Sequence, residues 1–257
     1  MLFFVLLISL ISIININAHN VTTDYDVKGF EAGYDNHLES TGGYQGFDIS
    51  TLLSSSAASC LLSSGYSFGV VRAYRSSASV DTNACSSLKQ MGGFKKADVY
   101  LFPAPTSSKS ASTQMGEMVS YLNANCQSSW SGRVWLDIEG TQYWLGSSSK
   151  NQQWYSSLVE SCASHNVACG IYSSSYQWSS IFGSTSYKNP VAGMPLWYAH
   201  YENTPNPSFS DFSAFGGWST PTYKQYKVLL LSLLLLLLLL LLLLLLGDNN
   251  SLWNGDR

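Results

Sequence analysis

Charged side chains are scarce in this sequence: Lys, Arg, Asp and Glu make up 11% of its 257 residues, and the formal net charge is -3. Nucleic-acid-binding proteins usually carry a basic patch, so this balance argues against a nucleic acid as the partner. Aromatic residues, in contrast, reach 14%. Few charges and many Trp and Tyr side chains are typical of extracellular or luminal domains and of carbohydrate-binding surfaces, where rings stack on the C–H faces of sugars.

Cysteine and histidine are also sparse, with five and four residues, and no CxxC pair is present. This composition gives no support to a zinc site, and nothing in the sequence points to any metal or cofactor. In an oxidising compartment we expect one or two disulfides. Cys162 and Cys169 lie close enough along the chain to form one of them. The connectivity otherwise stays open, and the odd number leaves one cysteine without a partner.

The N-terminus carries a short apolar run, MLFFVLLISLISI, followed by small and polar residues. This pattern predicts a signal peptide over residues 1–18 that is cleaved after Ala18. A signal anchor is the alternative, although the run is short for a membrane span. Residues 19–43 are polar and predict a loose leader. We therefore expect a protein that is secreted or delivered to a lysosomal or phagosomal lumen.

A second apolar segment, residues 228–246, consists almost entirely of leucine and is followed by a polar tail, residues 247–257. It is long enough to cross a bilayer as a helix and would then anchor the protein in a membrane. Natural anchors mix several apolar residue types and place basic residues on the cytoplasmic side, and this segment does neither. The alternative is a translated low-complexity repeat or a gene-model error. A membrane partner is expected only if the segment is genuine.

Between these segments, residues 44–227 show strands that alternate with helices. The strands are predicted at 44–50, 68–75, 97–105, 132–140, 168–174, 194–201 and 222–227, and the helices at 57–65, 82–94, 111–126 and 151–166. Such alternation predicts parallel βα units. Seven strands without a dinucleotide-type glycine loop favour the α/β class and an irregular, closed or nearly closed TIM-like β/α barrel over an open sheet.

Two acids stand out in the strand VWLDIEG, residues 134–140. Asp137 and Glu139 are two positions apart, so they share one face of the strand, with Cα atoms about 6.5–7 Å apart. They lie at its carboxyl end, where β/α barrels form their active sites, and Asp48 holds the matching position on the first strand. Neighbouring carboxylates separate each other's pKa values, which suits glycoside hydrolysis. The alternative is a structural role, such as an ion pair with Arg72.

Aromatic and polar side chains at other strand ends fit a sugar-binding cleft. Tyr172 ends the strand CGIY, Trp197 and Tyr198 lie in LWYAHY, and Tyr74 follows Arg72 on the second strand. We predict that these five residues, with Gln225 on the last strand, contact the substrate. For any single one of them, packing in the core is an equally good explanation. His200 is a weaker candidate for a catalytic base, because a lone histidine is more often structural.

Several of these segments occur in the order typical of one family: GFDIS, FGVVRAY, DVYLFPAP, VWLDIEG, GIYSSSYQWSSIFG, LWYAHYENTPNPSFSDFSAFGGW and KQY. Together they resemble glycoside hydrolase family 25, the Chalaropsis-type lysozymes, in its eukaryotic branch. The resemblance implies a β/α barrel that cleaves the β-1,4 bond between N-acetylmuramic acid and N-acetylglucosamine in bacterial peptidoglycan, in bacterial digestion or defence. No protein partner is implied.

The resemblance also implies roles for individual residues. Glu139 would be the general acid, Asp137 would orient and stabilise the substrate N-acetyl group in a neighbouring-group mechanism, and Asp48 would shape the pocket near Tyr172. After KQY the family continues to a segment of the type VDLN, whose Asp faces the active site, whereas here the leucine run begins. The resemblance therefore implies that the TIM-like barrel is incomplete at its last strand. The alternative function is therefore a catalytically impaired wall-binding protein. A family 18 chitinase fits less well, because its strand usually carries additional acids.

Overall fold

Nine strands and five helices make up the computed structural model, which describes residues 11–16, 44–201 and 206–229. The predicted leader, most of the leucine-rich segment and the polar tail lie outside these ranges. The strands are β1 (Ile11–Ile16), β2 (Tyr44–Ile49), β3 (Phe68–Arg75), β4 (Ser79–Val80), β5 (Lys96–Leu101), β6 (Arg133–Asp137), β7 (Ala168–Ser173), β8 (Leu196–Ala199) and β9 (Tyr223–Leu229).

All seven predicted strands are present, and they form a parallel series in the order β2-β3-β5-β6-β7-β8-β9. The short β4 only extends β3 as a hairpin. This curled parallel sheet confirms the predicted irregular TIM-like barrel. Within the described residues this parallel series contains seven strands, one fewer than a complete TIM barrel.

The place of the eighth strand is taken by β1, which pairs antiparallel with both β2 and β9. An antiparallel strand therefore spans the position at which the parallel barrel is incomplete. β1 lies within the predicted signal peptide, so cleavage after Ala18 would remove it. In that case the backbone donors and acceptors of β2 and β9 at this edge would lose their partners.

Helices cover the outside of the barrel. They are α1 (Ser55–Ser63), α2 (Ala84–Lys89), α3 (Ala111–Cys126), α4 (Ser148–Ser164) and α5 (Ser175–Phe182). Serine begins three of them: the side chains of Ser54, Ser110 and Ser174 accept hydrogen bonds from backbone amides three residues ahead. Such caps satisfy amides that the first helical turn leaves unpaired, and this is one use of the abundant serines. Among the described residues, no helix is long and apolar enough to cross a membrane.

Alternating strand residues supply two separate cores. On β6, Val134 and Leu136 point outward into the layer between strands and helices, whereas Trp135 points into the barrel. Trp135 is fully buried there and packs edge-on against Trp197, with 5.8 Å between ring centroids. Gly170 makes room for it, because a Cβ at this position would lie 2.4 Å from the indole ring. The barrel is thus filled by aromatic side chains below the level of the acids.

Two disulfides hold the outer layer together. Cys162 pairs with Cys169, as proposed from their spacing, and Cys85 pairs with Cys126. The second bridge closes 41 residues of chain, and loop-closure entropy of this size corresponds to about 4 kcal/mol. Cys60 is the exposed cysteine left over.

Candidate active site

A cavity of about 270 Å³ opens at the carboxyl ends of the parallel strands. Its wall includes the three predicted acids, Asp48, Asp137 and Glu139, and four of the six other predicted site residues, Arg72, Tyr172, Trp197 and Gln225. The remaining wall residues are Ser50, Tyr100, Phe102 and Tyr201. In a β/α barrel this end is the one that positions side chains from several strands around a common point.

The alternation of β6 directs both acids of VWLDIEG into the cavity. Strand pairing ends at Asp137 rather than at Gly140 as predicted, but the backbone stays extended for one more step, since the Ile138 amide donates to Tyr172 O at 2.8 Å. Ile138 is buried in the outer core, and Asp137 and Glu139 on either side of it face inward. The shared face predicted from the sequence is therefore present.

The backbone at Glu139 is fixed from two sides. Trp144 Nε1 donates to Glu139 O at 3.0 Å, and the amide of the next residue, Gly140, donates to Gln177 Oε1 at 3.1 Å. Gly140 has a φ of 66°, in the left-handed region that glycine adopts without strain. The glycine that ends the motif therefore turns the chain immediately after Glu139, and the two hydrogen bonds hold the carboxyl group at the cavity wall.

A hydrogen-bond network on the opposite wall connects Asp48 to two tyrosines through Gln225. Gln225 Nε2 donates to Asp48 Oδ2 at 2.6 Å, while its Oε1 accepts a hydrogen bond from Tyr172 Oη at 2.7 Å and another from Tyr201 Oη. Gln225 is 4% exposed, so its amide orients these three groups from a buried position. The structure thus places Gln225 in the site, where it bridges other cavity residues.

Arg72 enters the cavity from β3 but does not pair with the acids of β6. Its Nε donates to Asp81 Oδ2 at 2.8 Å, and Arg75 Nη2 contacts the other oxygen of Asp81 at 2.6 Å. Asp81 is buried, and these two guanidinium groups hold the pKa of its carboxyl below the usual range despite burial. The alternative role of Asp137 or Glu139 as an ion-pair partner of Arg72 therefore finds no counterpart in the structure.

The pKa values of both acids in VWLDIEG are raised. Burial first, and then the charges of Glu139 and Asp48, raise the pKa of Asp137 well above its ordinary value, and Arg72 opposes this rise only in part. Burial also raises the pKa of Glu139. Three carboxyl groups around one cavity cannot all be charged at low cost, so at least one retains a proton at a pH where an exposed carboxyl would be ionised.

Two buried polar atoms of the cavity wall have no hydrogen-bond partner among the described residues. They are Asp137 Oδ1, an acceptor when ionised, and Trp197 Nε1, a donor. Pairing across β6, β7 and β8 puts Asp137, Tyr172 and Trp197 side by side at one level of the barrel. Buried polar groups are nearly always paired in native proteins, so this complementary couple indicates a ligand that offers both a donor and an acceptor.

Two predicted substrate contacts lie elsewhere. Tyr74 is fully buried outside the cavity and donates to Glu117 Oε2 on α3 at 2.7 Å. The pairing of β3 with β5 shifts between Arg72 and Tyr74, and this irregularity reverses the alternation that the sequence suggested. Tyr198 points outward between Trp197 and Ala199 and stacks on His200, with 5.5 Å between ring centroids. Tyr198 and His200 line a second cavity instead.

Tyr100, Phe102 and Tyr201 are site residues that the sequence analysis did not single out. Tyr100 pairs in register with Arg72 and shares its inward face, so strand alternation on β5 contained the signal for it. Tyr201 follows β8 and reaches the cavity from a loop, which alternation does not describe. No group of His, Cys, Asp and Glu side chains within the described ranges is arranged to hold a metal ion.

Comparison with known proteins identifies close relatives. Residues 39–226 match the family described as Lysozyme-like protein 1. The chain is 45% identical to "Probable GH family 25 lysozyme 2" of Dictyostelium discoideum over 70% of this chain and 82% of the relative. It is 36% identical to "Probable GH family 25 lysozyme 4" of the same organism, over 71% and 83% of the two chains.

Solved structures show the same architecture at lower identity. A family GH25 lysozyme from Aspergillus fumigatus superposes with a TM-score of 0.53 at 24% identity, over 72% of this chain and 87% of that one. A muramidase from Acremonium alcalophilum gives a TM-score of 0.53 at 23% identity, over 71% and 86%. These likenesses support the barrel assignment.

Proposed function

The chain belongs to glycoside hydrolase family 25, and we propose that it is a lysozyme that hydrolyses the β-1,4 bond between N-acetylmuramic acid and N-acetylglucosamine in peptidoglycan. The observation that carries this proposal is the convergence of Asp137, Glu139 and Asp48 on one cavity at the carboxyl end of the barrel. Relatives named as lysozymes of this family support the choice of peptidoglycan as the substrate.

Glu139 is suited to be the general acid. It is partly exposed and lines the cavity, so substrate can reach it, and burial raises its pKa so that it keeps its proton. In the first step the proton of Glu139 passes to the glycosidic oxygen as the C1–O bond breaks. A group that must donate a proton works best when its pKa lies near the operating pH.

Asp137 and Trp197 are suited to hold the substrate acetamido group. An amide offers one N–H donor and one carbonyl acceptor, which complement the unpaired Asp137 Oδ1 and Trp197 Nε1. In the neighbouring-group mechanism the acetamido oxygen attacks C1 while the leaving sugar departs, forming a cyclic oxazolinium ion. Asp137 takes part as the carboxylate, its proton having been released to solvent before this step, and it stabilises the positive charge of the ion. Water then opens the ring and gives its proton to the Glu139 carboxylate, restoring the acid.

The alternative of a catalytically impaired wall-binding protein is not favoured. The described cavity retains Glu139, Asp137 and Asp48, and Gln225 connects Asp48 to Tyr172 by hydrogen bonds. A protein that only bound peptidoglycan would have no need for two cavity acids with raised pKa values, because desolvation of a carboxyl group destabilises the fold.

The reducing ends released from purified bacterial cell walls test the proposed cleavage. Digested walls are reduced with borohydride and hydrolysed, and the reduced amino sugars are separated by mass spectrometry. We expect reduced muramic acid as the new end. Reduced glucosamine would mean that the other glycosidic bond is cut, and the absence of new ends would contradict a hydrolase. Chitin serves as the control polymer, since it contains N-acetylglucosamine alone.

We further propose that the protein acts outside the cytosol, in bacterial digestion or defence. Two disulfides, a low charge content and the apolar N-terminus support an oxidising compartment. The mass of the mature protein, purified from medium or phagosomes of producing cells, tests this: cleavage after Ala18 places His19 at its start. A mature chain that retains residues 1–18 would instead favour β1 as a lasting part of the barrel.

The dependence of activity on pH follows from the buried general acid. Because the proton-bearing form of Glu139 is the active one, kcat/KM should fall as pH rises through its pKa in the free enzyme. Burial raises that pKa, so the fall should be centred above about 4.3, the value of an exposed glutamate. Cell-wall digestion measured between pH 3 and pH 8 checks this. A midpoint at or below 4.3 would be incompatible with the proposed environment of Glu139.

A further inference from the structure

A second cavity of about 610 Å³ adjoins the first. The two share three wall residues, Glu139, Tyr172 and Tyr201, so Glu139 stands between them. Most of its other wall residues carry hydroxyl, amide or aromatic groups, including Ser174, Gln177 and Tyr176 from the start of α5. Like the first cavity, it is open to solvent.

We propose that this second cavity binds the N-acetylglucosamine unit on the leaving side of the scissile bond, with Tyr176 as its stacking surface. The inference rests on the proposed function. A general acid must lie beside the oxygen that joins the two sugars, so substrate has to extend from Glu139 in two directions. Asp137 and Trp197 are in the first cavity and would hold the sugar whose acetamido group reacts. The leaving sugar then falls in the second cavity.

Exposed aromatic rings support this assignment. Tyr176 is 74% exposed and Tyr201 is 49% exposed, although large apolar side chains of this fold are otherwise mostly buried. Both line the second cavity. Such rings present flat faces to solvent without stabilising the core, and a sugar can cover them with its C–H face while its hydroxyls bond to neighbouring polar groups.

The far wall of the cavity is held in place by a buried lysine. Lys224 is fully buried and donates from Nζ to Asp211 Oδ2 and to Ser208 O, both at 2.8 Å. His200 Nε2 lies 3.3 Å from the same Asp211 oxygen. An ion pair at this depth is costly to open, because either charge would be left unpaired. Ser208 and Asp211 are thereby fixed against β9, and Asp211 forms a preformed polar part of the cavity wall.

Two substrates that share the reacting sugar but differ on the leaving side test this subsite. One is an N-acetylmuramic acid–N-acetylglucosamine glycan fragment, and the other is the glycosyl fluoride of the same reacting sugar, whose leaving group is one atom. We expect Tyr176→Ala to lower the ratio of kcat/KM for the glycan to kcat/KM for the fluoride by about five- to tenfold, the effect of one aromatic contact. Tyr176→Phe keeps the ring and should restore the ratio.

Tyr121→Ala is the matched control, because Tyr121 lies on α3, outside both cavities, and donates only to Thr82 O. An unchanged ratio in Tyr176→Ala, or an equal loss on both substrates, would overturn the subsite. If wild type and Tyr121→Ala cut the glycan but Tyr176→Ala keeps the wild-type ratio, only the proposed subsite fails. If wild type cuts neither substrate, the proposed function fails, and the subsite that rests on it fails too.

Discussion

Replacement of Glu139 by Gln is expected to lower kcat on cell walls by about 10²- to 10⁴-fold, the usual contribution of a general acid. Gln has nearly the same shape as Glu and can keep the contacts of the cavity wall, but it has no proton to give to the glycosidic oxygen. The hydrogen bonds that Trp144 Nε1 and the Gly140 amide donate do not involve the Glu139 side chain, so we expect the fold to be preserved. Turbidity clearing and release of reducing ends measure the effect.

Glu160→Gln is the matched control for this substitution. Glu160 is an exposed residue of α4 and lines neither cavity. The Glu160→Gln variant should keep wild-type activity. A comparable loss in both variants would indicate a general effect of charge on binding to the cell wall. Clearing by Glu139→Gln at the wild-type rate would assign the acid role to another group. The residual activity of Glu139→Gln should also lose the alkaline fall with pH that wild type shows.

The second large effect is expected from Asp137→Asn, which should lower kcat by about 10²- to 10³-fold, the range found when one preorganised stabilising group is removed. Asn can still accept a hydrogen bond from the acetamido N–H, but it cannot stabilise the positive charge of the oxazolinium ion. The affinity for a neutral substrate fragment should change less than kcat. Steady-state kinetics on a defined glycan fragment separate the two effects.

The same variant should be more stable than wild type at neutral pH. Burial and the charges of Glu139 and Asp48 raise the pKa of Asp137 in the folded state, so the folded protein holds this proton to higher pH than the unfolded chain does. The free energy of unfolding therefore falls as pH rises above about 3.9, the pKa of Asp in the unfolded chain. Replacement of Asp137 by Asn removes this decrease. Thermal unfolding should show a higher Tm for Asp137→Asn at pH 7, with the difference shrinking toward pH 4.

A direct test distinguishes this role of Asp137 from that of an enzyme nucleophile. If Asp137 formed a covalent bond to the sugar, added azide would restore turnover of Asp137→Ala and yield a glycosyl azide of inverted configuration. With the acetamido group as the nucleophile, azide should give no such rescue. A covalent adduct on Asp137 in the mass spectrum of wild type, trapped with a slow substrate, would contradict the proposed mechanism.

Local sequence patterns determined the barrel strands and the acids at their ends. Each of the seven parallel strands has the apolar content and spacing that predict it, because every such strand packs on both faces. The two-residue period of VWLDIEG was enough to place Asp137 and Glu139 on one face. The helix α5 was missed, because its serine-rich start looks like a loop until Ser174 is seen to cap it.

Tertiary structure decided the features that depend on residues far apart in the chain. The irregular pairing of β3 with β5 turned Tyr74 away from the cavity. No local sequence pattern around Tyr74 predicts this irregularity. Gln225 became the bridge between Asp48 and two tyrosines only because the first and last parallel strands approach each other in the barrel. The pKa of Asp137 depends in part on the same convergence, since its burial and the repulsion from Asp48 arise only when the barrel forms. The sequence by itself determined which strands form and which side chains face inward, because alternation is a local property. Which inward-facing side chains meet was decided by the closure of strands that lie more than a hundred residues apart.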